Sequence, residues 1–81
     1  MTIFEFADFI IKGIVSQPDA VVIAAGERNG KRILRIELAH RDMARVMGSR
    51  GLVIRAIRTI LFSTPQEFEE VVVEAAPPQS L

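Results

Sequence analysis

The chain has 81 residues, 49% of them hydrophobic, and its ten acidic side chains balance its ten basic ones. This length indicates one domain with a modest core, because so short a chain buries only about 60% of its unfolded surface. The apolar content excludes an intrinsically disordered chain, and the absence of cysteine excludes a disulfide scaffold and a thiolate metal site.

The first predicted element is a helix that begins after Thr2. Thr2 and Glu5 have the spacing of a capping box, in which each side chain bonds the backbone N–H of the other residue. The helix ends at the turn residues 16–19. We expect no signal peptide, because this segment contains the acidic residues Glu5 and Asp8 and lacks the basic n-region with which a signal peptide begins. The apolar stripe of this helix comprises Ile3, Phe6, Ala7, Ile10, Ile14 and Val15, widened by Phe9 and Ile11.

A β-hairpin is predicted next. Its first strand, Ala20–Ala25, is short and apolar, and its second strand, Arg32–Ala39, alternates apolar residues with charged ones. Between them lies Asn29-Gly30, the strongest short hairpin signal, because both central residues of a type I′ turn need positive φ.

Two helices and a final strand complete the predicted fold. The helices span roughly Arg41 to Met47 and Leu52 to Phe62, and the strand spans Phe68–Ala75. The resulting order, α-β-β-α-α-β, predicts an α+β fold in which helices cover one face of a three-stranded sheet. The Pro-rich residues 77–81 are expected to form a flexible C-terminal tail.

The most informative segment is the Gly-x-x-Gly step between the last two helices, Gly48-Ser49-Arg50-Gly51. Such a step exposes backbone N–H groups and a helix N-terminus, which together hold an anion without side chains. Gly-x-x-Gly alone favours a tight turn in which Gly48 caps one helix and Gly51 relieves a steric conflict. Its place after a hairpin, and inside the only basic segment, favours a binding loop.

Charge is distributed unevenly along the chain. Residues 28–58 hold nine basic side chains and two acidic ones, a net charge of +7, so the rest of the chain carries −7. This separation can produce a basic and an acidic face in the fold. Four arginines, at positions 45, 50, 55 and 58, surround the glycine step and indicate a nucleic-acid backbone as the anion.

Residues 46–57, VMGSRGLVIRAI, resemble the core motif of a KH domain. The motif has two apolar residues, Gly-x-x-Gly, two variable residues, isoleucine, a basic residue, and an apolar residue two positions further on. The element order is similar to the type II KH fold. Over residues 1–76 the chain resembles the small single-KH bacterial proteins of the KhpA type, which implies a single KH domain.

The resemblance implies that about four nucleotides of single-stranded RNA bind in a groove formed by the loop, its flanking helices and strand residues 33–39. Within that groove, Ile54 would contribute to an apolar floor, whereas Val46 is a candidate for either the floor or the core. The implied RNA-binding residues are Gly48, Ser49, Arg50 and Gly51 of the loop, the phosphate-contact candidates Arg45, Arg55 and Arg58, and the apolar Ile54 and Val46.

The family resemblance also implies a homodimer and association with a second, larger KH-containing protein. It implies no cofactor, no metal and no small-molecule substrate. No stretch approaches the ~20 apolar residues of a membrane helix, so we expect no membrane association and a cytoplasmic location.

Other readings of the sequence are weaker. The five phenylalanines lie outside the loop and are expected in the core, whereas RRM and many OB modules need aromatic rings on their strands. A helix-hairpin-helix DNA module requires no β-hairpin. His40 and Asp42 are too few for a metal site, and no recognisable catalytic set is present. Two hypotheses remain: a non-enzymatic RNA chaperone or post-transcriptional regulator, and a protein-interaction or dimerisation module that kept the KH fold.

Overall fold

A computed structural model describes residues 1–77, which form three α-helices and one three-stranded sheet. The elements confirm the predicted α-β-β-α-α-β order. Of the predicted tail, residues 77–81, all but Pro77 lies outside the described residues. In chain order the elements are α1 (Ile3–Lys12), β1 (Val22–Arg28), β2 (Lys31–Leu38), α2 (Met43–Met47), α3 (Leu52–Leu61) and β3 (Glu70–Ala75), with 3-10 turns at Pro18–Ala20, His40–Asp42 and Ser49–Gly51.

Helix α1 begins with the predicted capping box. Thr2 Oγ1 accepts from the Glu5 N–H at 3.1 Å, and Glu5 Oε1 accepts from the Thr2 N–H at 2.8 Å. The buried face of α1 is centred on Ala7 and Ile11, both fully buried. The prediction that Phe9 belongs to the apolar stripe and the core is wrong, because its side chain is 71% exposed. Phe9 is two residues from both buried positions, about 200° around the helix.

The hairpin forms with the predicted turn. Asn29 and Gly30 have φ of 54° and 78°, as a type I′ turn requires. Strand β1 begins at Val22, two residues later than predicted, because Pro18–Ala20 forms a 3-10 turn. In that turn the N–H of Ala20 bonds the Gln17 carbonyl, so the backbone there is committed to the turn rather than to the sheet.

Strand β2 lies at the centre of the sheet. It pairs antiparallel with β1 and parallel with β3, and the β3 register runs from Ile33↔Glu70 to Leu38↔Ala75. A parallel pair needs a long crossover connection, which the segment containing α2 and α3 supplies. The helices cover one face of the sheet, where the core contains Ala7, Ile11, Leu34, Ile36, Leu38, Val46, Ile54, Ile57, Leu61, Phe68 and Val71.

Phe68 is buried as expected, although it precedes the last strand rather than beginning it. Its ring meets that of Phe4 edge to face, with centroids 5.7 Å apart, and the Arg32 guanidinium lies 5.4 Å from the Phe68 ring centroid. These contacts, together with a 2.8 Å bond from the Glu69 N–H to the Arg32 carbonyl, attach the segment after α3 to β2 and fix where β3 begins.

Two negative findings apply to residues 1–77. None of their helices has the length and apolar character needed to cross a membrane. Nowhere among them do three histidine, cysteine, aspartate or glutamate side chains come together as metal ligands would.

Candidate nucleic-acid interface

The Gly-x-x-Gly loop joins α2 to α3 through a backbone with three positive φ angles. Gly48 has φ 74°, Arg50 has φ 57° and Gly51 has φ 72°. Glycine adopts this region readily, whereas a non-glycine residue there costs roughly 1–2 kcal/mol. The strain at Arg50 is therefore held in place by its surroundings, a condition that occurs preferentially at binding sites.

The two glycines of the loop are required for different reasons. A Cβ at Gly48 would lie 2.4 Å from Val53 Cγ2 and 2.9 Å from the Val53 backbone nitrogen, so the loop packs directly on the first turn of α3. A Cβ at Gly51 would meet nothing closer than Ile54 Cγ2 at 3.8 Å, an ordinary contact. Gly48 thus serves both conformation and close packing, and Gly51 serves conformation alone.

Helix α3 begins without a side-chain cap. Gly51 occupies its N-cap position, and no side chain of residues 1–77 accepts a hydrogen bond from the first-turn N–H groups. Such groups carry partial positive charge from the helix dipole and need an acceptor. The exposed start of α3, directly after the loop, is therefore suited to an anion.

Four exposed arginines lie in the loop and its flanking helices: Arg45 on α2, Arg50 in the loop, and Arg55 and Arg58 on α3. None of the four forms a salt bridge with a residue in the range 1–77. Two of them instead donate to backbone carbonyls. Arg55 Nη2 lies 2.6 Å from the Arg50 oxygen, and Arg45 Nη1 lies 3.4 Å from the Ile14 oxygen.

The basic residues of β2 have acidic partners. Lys31 Nζ lies 3.4 Å from a Glu70 oxygen, and Arg32 Nη2 lies 3.1 Å from a Glu67 oxygen. Arg35 lies 3.1 Å from Glu74 in the same way. The parallel β2–β3 register brings acidic residues from the end of the chain beside this strand. The charge separation along the sequence is therefore cancelled at β2, whereas the arginines of the loop and its flanking helices form no salt bridge within residues 1–77.

The predicted apolar floor is largely inside the core. Val46 is fully buried and Ile54 is 6% exposed, so both contribute to packing beneath the loop. The exposed apolar side chains beside the loop are those of Met47 and Leu52, at 37% and 57% exposure. The sequence analysis overlooked this pair. Leu52 could have been found from the helical repeat, because Ile54 and its buried neighbours leave position 52 on the opposite side of α3.

A buried carboxylate fixes the start of α2 to the end of the α1 segment. Asp42 is 1% exposed; its Oδ1 accepts from the N–H and the hydroxyl of Ser16, both at 2.9 Å, and its Oδ2 accepts from the Gln17 N–H at 3.1 Å. The backbone hydrogen bond from Ser16 holds the pKa of Asp42 below its usual value, and the Arg45 charge acts in the same direction. The sequence predicted Asp42 near a helix start but gave no sign of its partners 25 and 26 residues away.

This geometry defines a class of protein. An exposed Gly-x-x-Gly loop between two short helices, beside a three-stranded sheet with element order α-β-β-α-α-β, is the arrangement of a type II KH domain. The family model described as "KhpA/KhpB, KH domain" matches residues 5–75 of the chain. The chain therefore belongs to the KhpA/KhpB KH-domain family.

Curated relatives agree with this assignment. A protein named "RNA-binding protein KhpA" from Streptococcus pneumoniae serotype 4 is 39% identical over 62 residues, which cover 76% of this chain and 78% of the relative. Proteins of the same name from Borreliella burgdorferi and Streptomyces coelicolor are 35% and 33% identical over 57 residues each, 70% of this chain and 70% and 72% of the relatives. No solved structure gives a significant match.

Proposed function

We propose that this protein binds single-stranded RNA at the Gly48–Gly51 loop and works without catalysis, as an RNA chaperone or post-transcriptional regulator in the cytoplasm. The observation that carries the proposal is the juxtaposition of an uncapped helix start with four arginines that have no acidic partner within residues 1–77. The names of the curated relatives support RNA as the ligand.

The binding mechanism follows from the loop. A phosphate would accept hydrogen bonds from backbone N–H groups at the start of α3, with Arg50 beside it on the loop and Arg45 and Arg58 on the two helices. Gly48 and Gly51 leave the backbone without side chains that would hold the phosphate away. Because phosphate contacts carry no sequence information, we expect low sequence specificity and affinity that falls with salt.

Bases would lie against apolar side chains rather than aromatic ones. Met47 and Leu52 are exposed on either side of the loop, and Ile54 lies beneath it. In KH domains a loop of this kind holds about four nucleotides. With so few contacts, one domain binds weakly, and pairing of two domains would raise the affinity by avidity. We therefore propose a homodimer, or a complex with a larger KH-containing protein, as the working form.

A second candidate function is a protein-interaction or dimerisation module that kept the KH fold. The observation that favours it is the exposure of apolar side chains on α3, where Leu52 and Ile60 are 57% and 46% exposed. Exposed apolar residues on one helix are suited to a protein partner. The two functions differ in their dependence on the loop, which the following experiment measures.

The test is a titration of short labelled single-stranded RNA with wild type and the Ser49→Asp/Arg50→Asp variant at two salt concentrations. Aspartate tolerates the left-handed conformation of position 50 better than most residues, so the variant should fold, which circular dichroism checks. We expect binding to fall by at least about 100-fold, because two carboxylates repel phosphate. If wild type does not bind RNA even at high micromolar protein concentration, the protein-interaction module is favoured. If the variant does not fold, the loop is needed for the fold, and the binding role proposed for it is wrong.

A further inference from the structure

The Arg55 side chain closes over the strained part of the loop. Its Nη2 donates to the Arg50 carbonyl at 2.6 Å, the shortest of the side-chain hydrogen bonds within residues 1–77. Its Nε would lie 4.0 Å from a Cβ placed on Gly51. The guanidinium therefore bonds the carbonyl of Arg50 and lies near Gly51, the two consecutive residues that adopt the left-handed conformation.

This contact has a specific energetic role. A left-handed non-glycine residue persists only where neighbouring interactions outweigh its strain. Among the described residues no side chain caps α3, so the N–H groups there lack the hydrogen bond that commonly fixes a helix start. The charge-assisted bond from Arg55 is stronger than a neutral one. Within residues 1–77, no other side chain forms a hydrogen bond to the backbone of the loop.

We propose that Arg55 is a positioning residue that holds the loop in its binding conformation through the Arg50 carbonyl. The resemblance to KH domains implies a direct phosphate contact for this residue, whereas the structure shows its guanidinium donating to the loop backbone. With that carbonyl held against α3, the loop N–H groups and the Arg50 side chain are ordered before RNA arrives, which lowers the entropy lost on binding. The effect on affinity rests on the proposed function, whereas the effect on loop order does not.

The first test needs no RNA. Backbone ¹⁵N relaxation and amide hydrogen exchange are measured at Arg50 and Gly51 in wild type, Arg55→Met and Arg58→Met. Arg58→Met is the matched control, because Arg58 is exposed on the same helix and its substitution removes the same charge. Methionine is a good helix former, so both variants should fold. We expect lower heteronuclear NOE values and at least about threefold faster exchange at both loop amides in Arg55→Met only. Equal loop order in all three proteins would overturn the proposal.

The second test compares RNA affinities of the same proteins across a salt series. We expect Arg55→Met to weaken binding about tenfold with the salt slope of wild type, because it loses loop order and no phosphate contact. Arg58→Met, which loses a proposed phosphate contact, should weaken binding about threefold and flatten the slope by about 0.7. A direct phosphate role for Arg55 would instead flatten the salt slope of Arg55→Met by about 0.7 relative to wild type while leaving the loop ordered, and this pair of results would contradict positioning. If wild type binds no RNA, the proposed function fails, and the relaxation data alone decide whether Arg55 orders the loop.

Discussion

The two groups of basic residues in this protein differ in how their charge is compensated. On β2, Lys31, Arg32 and Arg35 each have an acidic partner within 3.4 Å. Around the loop, the four arginines have none within residues 1–77, and the sequence between Asp42 and Glu67 contains no acidic residue at all. Net charge over a segment therefore does not locate the proposed phosphate site. The proposal rests on unpaired basic charge together with an uncapped helix start, because Arg28 and Arg41 also form no salt bridge within residues 1–77.

The largest expected effect concerns the backbone of the loop, which with its flanking helices carries the arginines that have no acidic partner within residues 1–77. Gly48→Ala places a Cβ 2.4 Å from Val53 Cγ2 at a positive φ, so we expect the free energy of unfolding to fall by roughly 2–4 kcal/mol. Gly51→Ala is the matched control and should cost about 1 kcal/mol, because it adds strain without a clash. Urea denaturation measures both. Equal costs for the two alanines would mean that the loop does not pack on α3 as described.

The next prediction concerns α2, which within residues 1–77 is attached to the α1 segment by the buried carboxylate of Asp42 and not by surface ion pairs. In Asp42→Asn the amide NH₂ must face the N–H of Ser16 or Gln17, donor against donor, so we expect the melting temperature at pH 7 to drop by about 10 °C.

The pH dependence of that drop follows from the lowered pKa of Asp42. A carboxylate with a depressed folded pKa stabilises the fold above its unfolded pKa of about 3.9, and this stabilisation is lost as the pH falls through the folded value. Thermal melts at pH 7 and pH 3 should therefore show the gap between wild type and Asp42→Asn narrowing in acid. A gap that widens in acid would contradict the assigned role of the carboxylate.

Arg50→Gly separates the charge of the loop from its backbone conformation. Glycine removes the left-handed strain at φ 57° but adds unfolded-state entropy, so stability should stay equal or rise by up to about 1 kcal/mol. RNA affinity should nevertheless fall by roughly threefold to tenfold, because a phosphate contact is lost. Paired denaturation and titration curves show whether the two effects have opposite signs. Unchanged affinity would remove Arg50 from the binding site.

The smallest expected effect concerns the basic residues of β2, which have acidic partners. The Arg32–Glu67 pair is about half exposed on both partners, so Arg32→Gln should change the free energy of unfolding by less than about 1 kcal/mol. The loss includes the contact of Arg32 with the Phe68 ring. RNA affinity should change by less than about twofold, as measured in the same titration. A larger loss of RNA affinity would show that the paired strand charges also contact phosphate.

Local features of the fold were predictable from sequence, and long-range ones were not. The capping box at Thr2, the Asn29-Gly30 turn and the glycine at the end of α2 depend on neighbouring residues and were confirmed. The partners of Asp42 and the strand ion pairs depend on the docking of segments more than 20 residues apart, and no periodicity encodes that docking. Phe9 was misassigned because a composition argument places aromatics in the core without regard to helix phase.

The same division applies to the candidate site. The loop residues and the arginines were found because Gly-x-x-Gly and its basic neighbours are contiguous in sequence. The hydrogen bond from Arg55 to the Arg50 carbonyl was not predictable, because it depends on a left-handed φ that arginine rarely adopts.

The most direct test of the account compares two double variants that remove the same charge. Lys31→Gln/Arg32→Gln neutralises paired residues of β2, and Arg45→Gln/Arg58→Gln neutralises unpaired residues beside the loop. Titration of one short single-stranded RNA at fixed salt should show less than about a twofold loss for the strand variant and about a tenfold loss, near 1.4 kcal/mol, for the helix variant. Equal losses would contradict the account, since binding would then depend on total charge and not on unpaired charge at the loop.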